Sequence, residues 1–149
     1  MATSEKDVAD WISYLTSTGM LIPDQEPTQG IPEATTALHI VNGIEVEPNI
    51  SISRNSPDSL GSLNHHWKQQ SEAAHLYSAT GEILVCSPAT CPADVGWLRV
   101  QDPMRGENIA SRLIQAKGSP TFLALSEDGR HLCAISVEDE DYWIVSHEF

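Results

Sequence analysis

The apolar residues near the start of the chain recur with the spacing of an amphipathic helix. Ser4 is a favoured N-cap residue, and Gly19 suits the left-handed position that follows a helix. Between them, the residues at i, i+3, i+4 and i+7 are apolar and share one helix face: Val8, Trp11, Ile12 and Leu15. The pattern therefore predicts a first helix that packs this face against the rest of the fold.

The stretch TTALHIVNGIEVEPNISIS has the composition of β-strands. Asn42-Gly43 stands between two β-rich runs, and both residues tolerate the positive φ that a type I′ turn needs at its central positions. Pro48 has no backbone N–H to donate to a strand ladder. We expect a hairpin here, with its second strand at an edge of the sheet or bulged.

Loop residues then lead into a second helical pattern. Ser56 and Pro57 can cap and open a helix. The apolar residues Leu60, Leu63 and Trp67 would lie on one side of it. Trp67 stands beside Lys68 in this polar segment, and we expect it to be exposed and available to a partner.

The next segment predicts two hairpin strands, a short strand and a helix. AHLYSATGEILVCS has the pattern of a hairpin that turns near Thr80-Gly81, and WLRV that of a short strand. Asp102 can cap a helix with Pro103 at its first position, and Gly118 can end it. The apolar face of this helix consists of Ile109, Leu113 and Ile114.

The last third of the chain is a regular series of strands. PTFLALS, HLCAISV and YWIVSH are apolar runs separated by a turn at Asp128-Gly129 and by the acidic run Glu138 to Asp141. Tight turns join antiparallel neighbours. The sequence therefore predicts a single α+β domain over residues 1–149: a largely antiparallel sheet of hairpins with a C-terminal three-strand meander, and two or three helices packed on it.

The charge of the chain excludes some partners and favours others. Twenty-one acids face eight bases, a formal net charge of −13, and both halves of the chain are acidic. Such a field repels nucleic acid and anionic membranes and attracts basic proteins. Solubility alone also explains an acidic surface, so both interpretations are open.

The N-terminal sequence and the cysteines predict a cytoplasmic protein. MATSEKDVAD has no basic and apolar leader pattern, and no apolar run approaches the ~18 residues that span a membrane. The three cysteines, Cys86, Cys91 and Cys133, are an odd number, which suits free thiols in a reducing compartment. Cys133 lies within an apolar strand and should be buried and inert, whereas Cys91 should be more exposed.

The chemistry-bearing residues form no recognisable catalytic or metal motif. The acidic run lacks the alternating spacing of a calcium loop. Cys86 and Cys91 are separated by four residues instead of the two usual in zinc sites, and the six histidines show no H-E-x-x-H spacing. No G-x-S-x-G or phosphate-binding glycine loop occurs. We therefore expect no catalytic residues, no metal and no cofactor, and a protein that is not an enzyme.

The acidic turns are the candidate partner-binding residues. Four adjacent like charges repel one another unless a cation or basic partner is present, although a solvated turn would also be polar. In a meander, the two acidic turns lie at opposite ends of the sheet. In order of preference the candidates are Glu138, Asp139, Glu140 and Asp141, then Glu127 and Asp128, then Glu45 and Glu47, with Trp67 as an aromatic anchor.

In size, acidity and the closing segment DGRHLCAISVEDEDYWIVSHEF, the chain resembles the immunity proteins of bacterial polymorphic-toxin systems. The resemblance covers the last third of the chain and is one of class. It implies a non-catalytic protein that neutralises a cognate, basic toxin by stoichiometric occlusion of its active site.

Two other classes are open. Chaperones of type III secretion effectors are also small, acidic and α+β, but they usually end in a helix, whereas this sequence predicts a final strand. A small enzyme or ligand-binding domain would instead need a closed apolar cavity with converging His and Asp or Glu residues.

Overall fold

The described residues include three helices with defined bounds and a six-stranded sheet. The structure, a computed structural model, describes residues 5–23, 36, 37, 40, 48–86 and 97–149. The helices are α1 (Glu5–Ser17), α2 (Ser59–Ala73) and α3 (Ile109–Lys117). The strands are β1 (Ile50–Ser53), β2 (Glu82–Cys86), β3 (Leu98–Gln101), β4 (Phe122–Leu125), β5 (His131–Val137) and β6 (Asp141–Glu148).

The sheet has the strand order β1-β6-β5-β4-β2-β3, and every neighbouring pair is antiparallel. Strands β4, β5 and β6 are consecutive in the chain and adjacent in the sheet, which confirms the predicted C-terminal meander and the α+β class. At the β3 edge, Leu21 forms an isolated antiparallel bridge with Gln101. That bridge joins the segment after α1 to the sheet.

Side chains alternate between the two faces of each strand, and both faces of the central strands are buried. The helices cover one face, where apolar residues of α1, α2 and α3 pack with those of the sheet, such as Phe122 and Ile135. On the other face, Leu84, Leu123 and Leu132 form a second cluster that includes Ala37. The run FLAL of β4 is buried at every position, as expected for a strand covered on both faces.

Trp67 is a core residue, so the prediction that it is exposed is wrong. Its side chain is 0% exposed, and its ring centroid lies 5.0 Å from that of Phe122. Leu63, Trp67 and Ser71 are the buried residues of α2. Because they recur every four residues, they share one helix face, and that face is the one turned to the sheet.

Two predicted hairpins differ from the structure. Thr36, Ala37 and Ile40 have helical backbone, not strand, and Asn42-Gly43 lies outside the described residues. The predicted hairpin at Thr80-Gly81 is wrong because α2 extends to Ala73, so the following residues form its end and a turn instead of a strand. Strand β2 pairs with β3 and β4.

The predicted helix after Asp102 starts later than expected. Residues 103–108 form turns, and α3 begins at Ile109 with Asn108 in the left-handed region as its N-cap residue. Asp102 is not a cap because its buried carboxylate binds other groups, described below. The predicted end at Gly118 is correct: this residue follows α3 with φ of 83°.

The cysteines differ in state. Cys133 is a buried free thiol, as predicted, and burial raises its pKa above the usual value. Cys86 is disulfide-bonded, and its partner lies outside the described residues. The expectation of free thiols therefore fails at Cys86, and with it the argument for a reducing compartment loses support, because disulfides persist in oxidising environments.

Among the described residues, no helix is both long and apolar enough to cross a membrane.

Candidate functional site

The turn Glu138–Asp141 between β5 and β6, here called the acidic hairpin, is closed by a backbone hydrogen bond. The Glu138 N–H donates to the Asp141 carbonyl oxygen at 2.8 Å. Asp139 and Glu140 at its tip are exposed. The Ser136 hydroxyl donates to the Glu138 carboxylate at 2.7 Å. The carboxylate of Glu138 is therefore already bound by a neighbouring side chain.

Arg54 fixes the backbone of the acidic hairpin without neutralising its tip. Its guanidinium donates to the carbonyl oxygens of Glu138 at 2.9 Å and Asp139 at 3.3 Å. Its own N–H donates to the Glu140 carbonyl at 2.8 Å, and its guanidinium carbon lies 5.6 Å from the centroid of the Tyr142 ring. The one cation at this turn is therefore bound to carbonyls, in the part of the chain that the structure describes.

The carboxylates at the tip form no ion pair with a described residue. Three ion pairs join described side chains: Lys68 with Glu72, Arg99 with Glu127 and Arg112 with Asp102. None of them involves the acidic hairpin. The tip carboxylates therefore lie on a turn whose backbone is hydrogen-bonded to Arg54, and they remain available to a cation from outside.

The second acidic turn lies at the other end of β5, about 20 Å away for a strand of this length. The Ser126 hydroxyl donates to Asp128 at 2.5 Å, and the Arg130 N–H donates at 3.0 Å. Both bonds lower the pKa of Asp128. Asp128 is therefore a turn-forming residue whose carboxylate already has partners, and the two acidic turns do not form one surface.

Glu127 also has partners within the fold. It forms a salt bridge with Arg99. Burial and the neighbouring Glu82 carboxylate nevertheless raise its pKa, and Arg99 acts in the opposite direction. Glu45 and Glu47 lie outside the described residues, and Trp67 is buried. Of the predicted partner-binding groups, the acidic hairpin is the one whose exposed carboxylates have no partner among the described residues.

Sequence analysis missed a buried ion pair that shapes the loop before α3. The Asp102 carboxylate, 0% exposed, accepts two hydrogen bonds from the Arg112 guanidinium, at 2.9 and 3.2 Å. It also accepts the backbone N–H groups of Met104 at 3.0 Å and Gly106 at 2.7 Å. The sequence did not predict this ion pair. Asp102 and Arg112 are ten residues apart, and only the folded conformation of the loop between them brings their side chains together.

Two polar atoms lie buried beneath Gly106. The hydroxyl of Tyr77 and the indole N–H of Trp67 make no hydrogen bond of good geometry with a described residue. Burial raises the pKa of Tyr77, the Asp102 charge adds to this, and the nearby Trp67 N–H opposes it. The indole thus lies close to the hydroxyl but is poorly aligned with it.

Beside this loop is a groove of about 180 Å³ with a basic character, here called the basic groove. It is lined by Lys68, Ser71, Glu72, His75, Leu76, Tyr77 and Arg105. The Lys68 ammonium donates to the Arg105 carbonyl oxygen at 3.0 Å and lies 3.4 Å from a Glu72 carboxylate oxygen. The sequence did not predict this groove, because its cations come from α2 and from a loop 37 residues later in the chain.

Within the described residues, no group of three or more His, Cys, Asp or Glu side chains could hold a metal ion. Three grooves formed by described residues are open and small, at about 180, 290 and 210 Å³, below the usual size of pockets that enclose a metabolite. In the part of the chain that the structure describes, these features define an acidic α+β protein with an exposed acidic hairpin and a small basic groove. No family model, curated protein or solved structure matches the chain.

Proposed function

We propose that this chain is a non-catalytic binding protein that neutralises a basic protein partner through its acidic hairpin, in the manner of a toxin-immunity protein. The observation that carries the proposal is the arrangement around Arg54. The guanidinium binds the carbonyls of the turn, while the carboxylates of Asp139 and Glu140 stay exposed.

A fixed backbone favours binding because less conformational freedom is lost when the partner docks. Adjacent carboxylates also repel one another in the free protein, and Lys or Arg side chains of a partner relieve that repulsion. The net charge of −13 extends the attraction beyond direct contact and accelerates the encounter with a basic surface. The proposal therefore joins a local feature with a property of the whole chain.

The surface next to the acidic hairpin can enlarge the contact. A stable interface buries about 800 Å² on each partner, more than one turn provides. Residues 54–58 are exposed throughout, and they begin at Arg54, whose N–H binds the turn. They include one further exposed carboxylate, that of Asp58.

The test compares two double variants that change the net charge equally. Asp139→Asn with Glu140→Gln removes the tip charges, whereas Asp10→Asn with Glu107→Gln removes two exposed charges elsewhere. A partner is first recovered at low salt, and its stoichiometry, Kd and association rate are then measured against salt concentration. We expect the tip variant to weaken binding by about tenfold or more, equivalent to about 1.4 kcal/mol, and the control to change it by less than about threefold.

Equal losses in the two variants would show that net charge alone, and not this turn, attracts the partner. An affinity that the tip variant leaves unchanged would exclude the acidic hairpin from the interface. Recovery of no basic protein in equimolar amount would remove the support for a stoichiometric inhibitor.

A further inference from the structure

The basic groove concentrates positive charge in a chain that has little of it. Among the eight Lys and Arg residues, Arg99 and Arg112 are paired with carboxylates and Arg54 with carbonyls. Lys68 and Arg105 both line the groove, together with His75. Glu72 also lines the groove, which therefore holds two permanent cations against one carboxylate. Because ions at physiological salt screen charges beyond about 8 Å, this local excess outweighs the more distant acids.

The cations of the groove have hydrogen-bonding capacity left over. An ammonium has three N–H donors and a guanidinium five. Lys68 uses its ammonium on the Arg105 carbonyl and on Glu72. The Arg105 guanidinium donates to the Ala79 carbonyl oxygen and forms no ion pair with a described carboxylate.

The backbone that holds these donors adopts an uncommon conformation. His75 and Arg105 have φ of 51° and 50°, in the left-handed region that non-glycine residues seldom adopt. Each conformation has a structural cause: His75 follows the end of α2, and Arg105 lies in the loop fixed by Asp102. The groove therefore has a defined shape before any ligand arrives.

We propose that the basic groove binds a single phosphate group, either free phosphate or the phosphate of a small monoester. Once Glu72 has left Lys68, the two permanent cations match a phosphate dianion in charge, and its tetrahedral oxygens accept hydrogen bonds from several directions at once. A volume of about 180 Å³ admits a phosphate with a few further atoms. The proposal is independent of the partner proposed for the acidic hairpin.

Glu72 is the internal competitor for this ligand. Its carboxylate lies 3.4 Å from the Lys68 ammonium, and the two side chains are 66% and 33% exposed. Such an exposed pair is weak, so phosphate can displace the carboxylate from Lys68. Removing the Glu72 charge should strengthen phosphate binding, whereas removing the Arg105 charge should weaken it.

The experiment is an NMR titration of the full chain at pH 8 and constant ionic strength, with inorganic phosphate and with phenyl phosphate. The reporters are the backbone amides of His75 and Gly106 and the indole N–H of Trp67. We expect saturable shifts at these positions with a Kd on the order of 1 mM. Tighter binding of phenyl phosphate would identify an organic monoester as the ligand, and equal binding would identify free phosphate.

Four variants make the assignment specific. Arg105→Gln and Lys68→Gln should each weaken phosphate binding by about tenfold, as expected for loss of a charge-assisted hydrogen bond. Glu72→Gln should strengthen it about threefold. Arg130→Gln removes an exposed cation outside the groove and should leave the Kd unchanged.

Two results would overturn the proposal. One is the absence of saturable shifts at the groove in the wild-type chain up to about 50 times the expected Kd. The other is an equal loss of affinity in the Arg130→Gln and Arg105→Gln variants, which would reflect general charge attraction. Lys68→Gln loses one hydrogen bond to the Arg105 carbonyl but keeps Arg105 and the Asp102 bonds that fix its loop, so it tests the groove even if Arg105→Gln unfolds.

Discussion

Gly106 is the residue at which the loop before α3 comes closest to the core. Its φ is 82°, and a Cβ atom placed there would lie 2.6 Å from the Tyr77 hydroxyl oxygen and 2.8 Å from the Trp67 indole nitrogen. Gly118 has a similar φ of 83° but no atom within 4 Å of such a Cβ. Replacing each glycine by alanine therefore separates two free-energy costs. Both positions carry the cost of the left-handed backbone, and only Gly106 adds the cost of steric crowding.

We predict that Gly106→Ala destabilises the fold by about 3 kcal/mol and Gly118→Ala by about 1 kcal/mol, because only the first adds overpacking to the left-handed backbone. Urea denaturation of the two variants, with the wild-type chain alongside, measures both values. Equal losses would mean that the loop moves away from Trp67 and Tyr77 at little cost.

The carboxylate of Glu127 makes stability depend on pH. Burial and Glu82 raise the pKa of Glu127 above its ordinary value of 4.5. The folded chain then binds more protons than the unfolded chain just above that value, so stability falls as pH rises through this window. The Ser126 hydroxyl lowers the pKa of Asp128, which acts in the opposite sense but below pH 3.8.

We predict that Glu82→Gln stabilises the protein by about 0.5 kcal/mol at pH 7, because it removes repulsion between the charge at the start of β2 and that of Glu127 in the turn after β4. The gain should shrink as pH falls through the raised pKa of Glu127, because the repulsion is lost once Glu127 is protonated. Thermal unfolding between pH 4 and pH 8 measures the difference. A gain that is the same at every pH would show that this repulsion is not its source.

At the scale of the elements, the acidic hairpin between β5 and β6 is bound by a side chain from the segment that follows β1. Arg54 follows β1 and contacts a turn 84 residues later in the chain. We predict that Arg54→Gln lowers the free energy of unfolding by about 1 kcal/mol, since hydrogen bonds to two carbonyls are lost. Arg130→Gln, an exposed residue of the same charge, should change it by less than about 0.5 kcal/mol.

Chemical denaturation measures both Arg variants. Accelerated amide exchange of Glu138 in Arg54→Gln alone would locate the loss in the turn. If the two variants were equally stable, the hydrogen bonds from Arg54 to the turn would add nothing to the free energy of unfolding, and Arg54 would contribute only its charge.

Local patterns predicted the elements that depend on neighbouring residues. The helix ends at Gly19 and Gly118 and the strands β4, β5 and β6 follow from turn chemistry and from strand-length apolar runs. The pattern failed at Asp102, because a residue suited to capping a helix is equally suited to accept a buried guanidinium. Which of these occurs depends on the position of Arg112, and local sequence carries no information about it.

At the scale of the whole molecule, the disulfide of Cys86 is the feature that most changes the expected environment. An intramolecular bond leaves one of the three cysteines as a thiol, and Cys133 is that thiol. We predict that a thiol assay of the denatured, unreduced chain detects one thiol, and three after reduction. Two or more thiols before reduction would mean that the disulfide is absent from the purified protein.

The sequence by itself determined the α+β class, the C-terminal meander, the helix ends at glycine and the buried Cys133, because these follow from periodicity and turn chemistry over a few residues. Tertiary structure alone decided that Trp67 is buried, that Arg54 holds the acidic hairpin, that Asp102 pairs with Arg112 and that Lys68 and Arg105 share a groove. The physical reason is that these contacts join residues distant in the chain, whose approach depends on how sheet and helices pack and not on the propensities of either segment.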